Sequence, residues 1–246
     1  MRRVHVCLLA GICVGWLLSS TNPLLADDGG VVKGKVIFKG SADDFKRSKI
    51  DTTKDPNCSK IKPDGIGSEN VVLNKKTDPI TVRNVMVFIK EGLGDKKFPP
   101  KTEPAVINQK GCQYEPRTLG VMAGQEIVIK NSDDTNHNIH FLPKVNPEFN
   151  KSQPKQDMED KLKLDSPEAP FTVKCDVHPW MGCNVAVFSH PFFAVTTEEG
   201  TFELKGVPPG KYKLAAWHET FGEQIIDIEV SPGAPVQKDF TYEPKK

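Results

Sequence analysis

Several enzyme signatures are missing from this chain. It has no Gly-rich phosphate loop, no G-x-S-x-G turn and no H-E-x-x-H pair, so nothing points to nucleotide, serine-hydrolase or zinc-protease chemistry. Acidic residues are scattered, and no two of them can be assigned as acid and base from sequence alone. Basic runs are missing too: 33 Lys and Arg face 32 Asp and Glu, a formal net charge of +1, which gives no electrostatic reason to bind nucleic acid. No window keeps apolar residues at helical spacing over three turns, so no helix is predicted. Beyond the first 26 residues, no apolar run approaches membrane length.

Those first residues read as an export signal. Arg2 and Arg3 form the charged end, Val6–Leu18 the apolar stretch, and Leu24-Leu25-Ala26 the cleavage site. An uncleaved anchor is the alternative. With residues 1–26 removed, the expected product is a periplasmic or secreted protein without membrane attachment. Of the six cysteines, Cys7 and Cys13 lie in the signal, which leaves Cys58, Cys112, Cys175 and Cys183. Four cysteines in an oxidising compartment allow two disulfides in three connectivities. If Cys175 instead binds metal, one disulfide and one thiol remain. Cys58 and Cys112 then pair best with each other, against the alternative of two free buried thiols.

What the chain has in quantity is turn residues, 19 Gly and 20 Pro spread over 246 positions. Between them lie short alternating or apolar runs that read as strands: 31–38, 70–73, 82–89, 105–108, 119–122, 126–130, 137–142, 171–175, 184–188, 192–196, 201–204, 212–217, 224–230 and 236–242. Residues 41–70 and 143–170 are polar and read as long loops. The fold class is all-β with sandwich packing.

One segment stands out chemically. Cys175-Asp176-Val177-His178-Pro179-Trp180-Met181 puts a thiolate, an imidazole and a thioether at C-x2-H-x2-M spacing. On a tight loop between two strands all three can turn toward one point, and Pro179 stiffens the loop by fixing its own φ. His137, from Asn136-His137-Asn138-Ile139-His140-Phe141 far upstream, supplies a second imidazole if the fold brings it close. Two imidazoles, one thiolate and a weak axial thioether are the donor set of a blue-copper electron-transfer site. The opposing reading is a Cys175–Cys183 disulfide in a copper-free sandwich, with His137 and His178 as polar surface residues.

HNIHF followed by CDVHPWM resembles amicyanin and its cupredoxin family. So does the strand Gly124-Gln125-Glu126-Ile127-Val128-Ile129-Lys130-Asn131 that leads into the first histidine. The resemblance implies a Greek-key β-sandwich with one type 1 copper ion held by His137, Cys175, His178 and Met181. It implies that Asn138 ties the ligand strands together and that His140 is not a ligand. It makes His178 a partly exposed ligand through which electrons pass, with Pro179 and Trp180 in an apolar rim where a redox partner docks. The expected function is single-electron transport, not catalysis. The alternatives are copper binding or delivery without efficient electron transfer, and a metal-free scaffold or adhesion module.

A second resemblance lies downstream. The segment Ala194–Leu214, with Thr196, Gly200-Thr201-Phe202-Glu203-Leu204, Pro208-Pro209-Gly210 and Tyr212-Lys213-Leu214, is similar to the carboxypeptidase regulatory-like, transthyretin-type β-sandwich. Gly34-Lys35-Val36 fits the opening strand of such a module. The expected organisation is a discontinuous module, 27–104 with 190–246, around an inserted cupredoxin at 105–189; two separate tandem domains are the alternative. His190 and His218 are candidates for a second metal but lack a partner at ligand spacing, and Trp217-His218-Glu219 is expected to pack at a strand end with polar tips.

Overall fold

The strand Gly182–Phe188 is buried along almost its whole length. Successive side chains of a strand point to opposite faces, and here both faces are covered. Cys183, Val185 and Val187 enter one hydrophobic core, whereas Ala186 and Phe188 enter another. Strand Met86–Glu91 behaves likewise: Val87 and Ile89 join a third core, and Met86 and Phe88 meet Ala186 and Phe188. The Phe88 and Phe188 rings lie 5.0 Å apart. Strands covered on both sides read as continuous apolar runs, and these two bring a pair of β-sandwiches back to back. The computed structural model that shows this describes residues 29–244. The export-signal reading of residues 1–26, with Cys7 and Cys13, lies outside them.

In one sandwich, a sheet ordered Thr201–Val207, Gly30–Phe38, Thr81–Val82, Leu73–Asn74 packs on another. The second is ordered Phe193–Val195, Met86–Glu91, Gly210–His218, Gly222–Val230. Phe202, Leu204, Tyr212 and Leu214 form part of the core between them, the face that the alternation around two Gly turns predicts. The last strands, Val236–Gln237 and Phe240–Tyr242, run parallel to Gly30–Phe38. Gly34 makes that approach possible, since a Cβ there would sit 1.7 Å from the Lys238 carbonyl oxygen.

In the other sandwich, Glu159–Lys163, Glu126–Asn131, Ala105–Gln109 and Tyr114–Glu115 form one sheet. Phe149–Gln153, His137–Phe141, Glu168–Lys174, Gly182–Phe188 and Thr118–Met122 form the facing sheet. Ile107, Ile127 and Ile129 from the first meet Ile139, Phe141, Val173, Val185 and Val187 from the second. Burying each such side chain contributes about 1.5–3 kcal/mol. The architecture is all-β, and no described helix is long and apolar enough to cross a membrane.

Two expectations are corrected. Residues 41–70 are not one loop: they hold the strand pair Lys49–Ile50 and Ile66–Gly67 and a helix, Pro56–Ile61. One and a half turns are too few for a periodic signal, but the local chemistry is clear. The Asp55 carboxylate accepts from the backbone N–H of Asn57 and Cys58, and Pro56 opens the helix. Residues 143–170 are not a loop either. They include the strands Phe149–Gln153 and Glu159–Lys163, each at the edge of its sheet. Edge strands carry polar residues on exposed positions, so FNKSQ and EDKLK look like loop composition.

Candidate metal centre

The strand His137–Phe141 lies beside Glu168–Lys174, with His140 opposite Lys174 and Phe141 opposite Val173. That register sets the first residue of one strand near the loop that follows the other. The loop is closed by its own backbone: Cys175 N–H donates to the Met181 carbonyl at 3.1 Å, and Met181 N–H to the His178 carbonyl at 2.9 Å. Asn138 ties the strand to the loop, as expected. Its Oδ1 accepts from Asp176 N–H at 3.0 Å, and its Nδ2 donates to the Lys151 carbonyl at 3.2 Å.

Three of the four candidate ligands converge. The donor atoms of His137, Cys175 and His178 all lie within 4.8 Å of one another. His137 Nδ1 is 3.1 Å from His178 Nδ1, and Cys175 Sγ is 3.9 Å from His178 Nδ1. All three side chains are buried, as is Met181, which packs in the same core. The His178 backbone N–H also points at Cys175 Sγ, 3.3 Å away. Cys175 and Cys183 are both free, so the disulfide that would have closed the site is not formed. Burial pushes the Cys183 thiol up to about 12, which keeps it protonated and inert. His140 stays outside the cluster, bonded to Asp176 and Glu148.

The far side of each imidazole meets a carboxylate. His137 Nε2 is 2.9 Å from Asp133 Oδ2, and His178 Nε2 is 3.1 Å from Asp55 Oδ2. An ionised carboxylate only accepts, so each Nε2 carries the hydrogen. In the neutral ring the Nδ1 lone pair then faces inward. Burial would lower both histidines, but Asp133 and Cys175 raise His137, and Cys175 and Asp55 raise His178. Burial would raise both carboxyls, but the N–H groups around them, with the histidines, hold them below the ordinary range. Burial would raise Cys175 as well; bonds from His137 and His178 outweigh it and bring the thiol down to about 6. Those bonds need a proton on the inner Nδ1 atoms; with both rings neutral, two inward lone pairs and a thiolate repel one another unless a cation lies between them. Soft sulfur with imidazole nitrogen suits copper in both oxidation states, so the residues fit such an ion.

Sequence reasoning missed both carboxylates, and one expectation is overturned with them. His178 is not partly exposed. It is 1% exposed, covered by Asp55 and by the Cys58–Cys112 disulfide, whose Cys58 Sγ sits 3.7 Å from His178 Nε2. Trp180 completes the cover. Its ring lies 5.0 Å from that of His178, and its indole N–H donates to the Cys112 carbonyl at 3.1 Å. The signal for Asp55 was present: an Asp-Pro helix start three residues before a cysteine. It becomes informative only once Cys58 is joined to Cys112.

His190 and His218 are strand-end packing. Each Nδ1 accepts a backbone N–H, from Phe192 and Thr220 respectively, and each ring packs on phenylalanine.

Residues 102–188 match the family of copper binding proteins, plastocyanin/azurin family. Similar solved structures include a copper(I) amicyanin variant, 21% identical, covering 40% of this chain and 97% of that one, at TM-score 0.31. A purple cupredoxin from Nitrosopumilus maritimus is 20% identical, covering 34% and 99%, at TM-score 0.30. A copper-containing nitrite reductase from Thermus scotoductus SA-01 is 19% identical, covering 40% of this chain and 25% of its own, at TM-score 0.31. No curated protein sequence matches the chain. The part of the chain that carries the converging side chains is thus the part that matches a copper-binding family.

Proposed function

We propose that this protein is an exported carrier of single electrons, built around one type 1 copper ion. His137, Cys175 and His178 would hold the ion, with Met181 as a weaker thioether donor. The observation that carries the reading is the convergence of two imidazole Nδ1 atoms and one thiolate in a buried pocket. Copper bound there would supply a Cu(I)/Cu(II) couple. The protein supplies a rigid cage that keeps geometry constant across the couple, because the loop is closed by backbone bonds at Cys175 and Met181 and pinned by Asn138. We assign no catalytic residue. Residues 105–189 would form the copper domain inside a carboxypeptidase regulatory-like module made of 27–104 and 190–246. Core membership supports that division for Val32–Phe38, Val82–Ile89 and the strands after Phe192, whereas Cys58 and Ile66 of the 27–104 part join the core of the copper domain. A redox partner would dock over His178 near Pro179 and Trp180, and electrons would cross the cover.

That cover favours a second reading, a copper-binding or delivery protein that exchanges electrons slowly, because the Nε2 edge of His178 does not reach solvent. Titration with Cu(II) followed by stopped-flow reduction separates the two. The carrier reading expects an intense thiolate-to-copper band that bleaches on reduction and returns fully on oxidation. A band that exchanges electrons only slowly, or Cu(I) binding with no intense band, supports delivery, and no binding of copper in either oxidation state removes both.

A further inference from the structure

The proposed ligands come from two segments. Of the carboxylates that face them, Asp133 lies four residues before His137 and Asp55 is remote, and the N–H groups that hold the two carboxylates sit on segments joined by one covalent bond. Asp55 Oδ1 accepts from the backbone N–H of Asn57 at 2.9 Å and of Cys58 at 2.8 Å, while its Oδ2 faces His178 Nε2. Asp133 Oδ1 accepts from Gly111 N–H at 2.8 Å. Its Oδ2 accepts from Cys112 N–H at 2.8 Å and faces His137 Nε2. Cys58 and Cys112, each the seat of one of those N–H groups, are the two halves of the disulfide. Both are wholly buried.

We propose that Asp55 and Asp133 are positioning residues that fix both imidazoles with hydrogen on Nε2 and Nδ1 turned to the ion, and that the Cys58–Cys112 disulfide holds the two carboxylates in place together. This inference rests on the copper reading for its purpose but not for its geometry. Partners on the outer nitrogen of a metal-binding histidine fix its tautomer and ring orientation, and losing one typically costs about 10- to 100-fold in metal affinity. Here both rings have such a partner, and one bond links the supports of both.

Asp55→Asn is the diagnostic change. Every group facing the Asp55 carboxylate is a donor, so the amide must turn one N–H against a donor. If its oxygen stays with the Asn57 and Cys58 N–H groups, its NH2 faces His178 Nε2 and expels the hydrogen from that atom. The helix cap survives while the ring is held in the wrong tautomer. A role limited to capping the helix predicts no such change.

The test is nitrogen-15 NMR of the histidine rings in metal-free full chain, together with Cu(I) affinity measured by chelator competition. The native protein should show a water-protected Nε2–H on both His137 and His178. Asp55→Ala should remove protection at His178 alone, Asp133→Ala at His137 alone, and Cys58→Ala/Cys112→Ala at both. Asp55→Asn should lose the Nε2–H of His178 altogether. Cu(I) affinity should fall about 10- to 100-fold in each single variant. Native rings that lack the Nε2–H, or single variants that leave both signals protected, overturn the proposal even if copper binds. The expected NMR pattern in a protein that takes up no copper supports the positioning and overturns the copper reading instead.

Discussion

Each sandwich buries two histidines, and the two pairs are built in opposite ways. In the sandwich around Leu214, His190 and His218 accept a backbone N–H at Nδ1 and lie against Phe188, Phe192 and Phe221. Burial pushes His190 down and takes His218 down to about 4. In the sandwich around Ile129, His137 and His178 turn Nδ1 toward each other and toward a thiolate, and both are pushed up by the anions around them. Burial alone therefore does not mark a functional histidine. What marks it is the direction of the lone pair: satisfied by backbone in one pair, aimed at a shared point in the other.

Substitution within the two pairs should give the largest contrast. His178→Gly or Cys175→Ala is expected to abolish the copper band outright, whereas His190→Phe and His218→Phe leave it unchanged. Equal loss from either pair, in absorption spectra of copper-loaded folded protein, would erase the distinction.

Next is the bond that covers the His137–His178 side. The Cys58–Cys112 disulfide spans 54 residues, for which the chain-entropy relation gives about 4 kcal/mol. Urea unfolding of the Cys58→Ala/Cys112→Ala variant should show a loss near that size. Unchanged stability would mean that the polar segment around the helix is held by other contacts.

The apolar pair makes a pH prediction. His218 is neutral in the fold down to about 4, against an ordinary value of 6.5. The unfolded chain therefore binds more protons between those values, so stability is full above 6.5 and drains as pH falls toward 4. The contribution is at most about 3 kcal/mol. Denaturant midpoints of native protein and His218→Phe should diverge in stability difference over that window, and parallel curves would refute the assignment.

The smallest effect is expected at His140, three residues along the strand from His137 and bonded to Asp176 and Glu148 near the surface. His140→Ala should cost under about 1 kcal/mol and leave the copper spectrum alone.

Much of this contrast was legible in the residue order. C-x2-H-x2-M sets three donors on one loop, and HNIHF after an alternating strand supplies the fourth. The two Gly turns before Phe202 and Tyr212 gave the core face of the other sandwich. What was not legible depended on contacts between remote segments. Asp55 reaches His178 across 123 positions of chain, so no local spacing reveals it. FNKSQ and EDKLK are strands only because neighbouring strands pair with them. His178 looked exposed because its loop resembles loops where that histidine is; here a capped helix and a disulfide lie over it.

The most direct measurement is X-ray absorption at the copper edge of the loaded protein. One sulfur scatterer at short distance together with two imidazole rings is expected. A shell of nitrogen and oxygen with no short sulfur would contradict it, because Cys175 would then stand apart from the ion it is here assigned to hold.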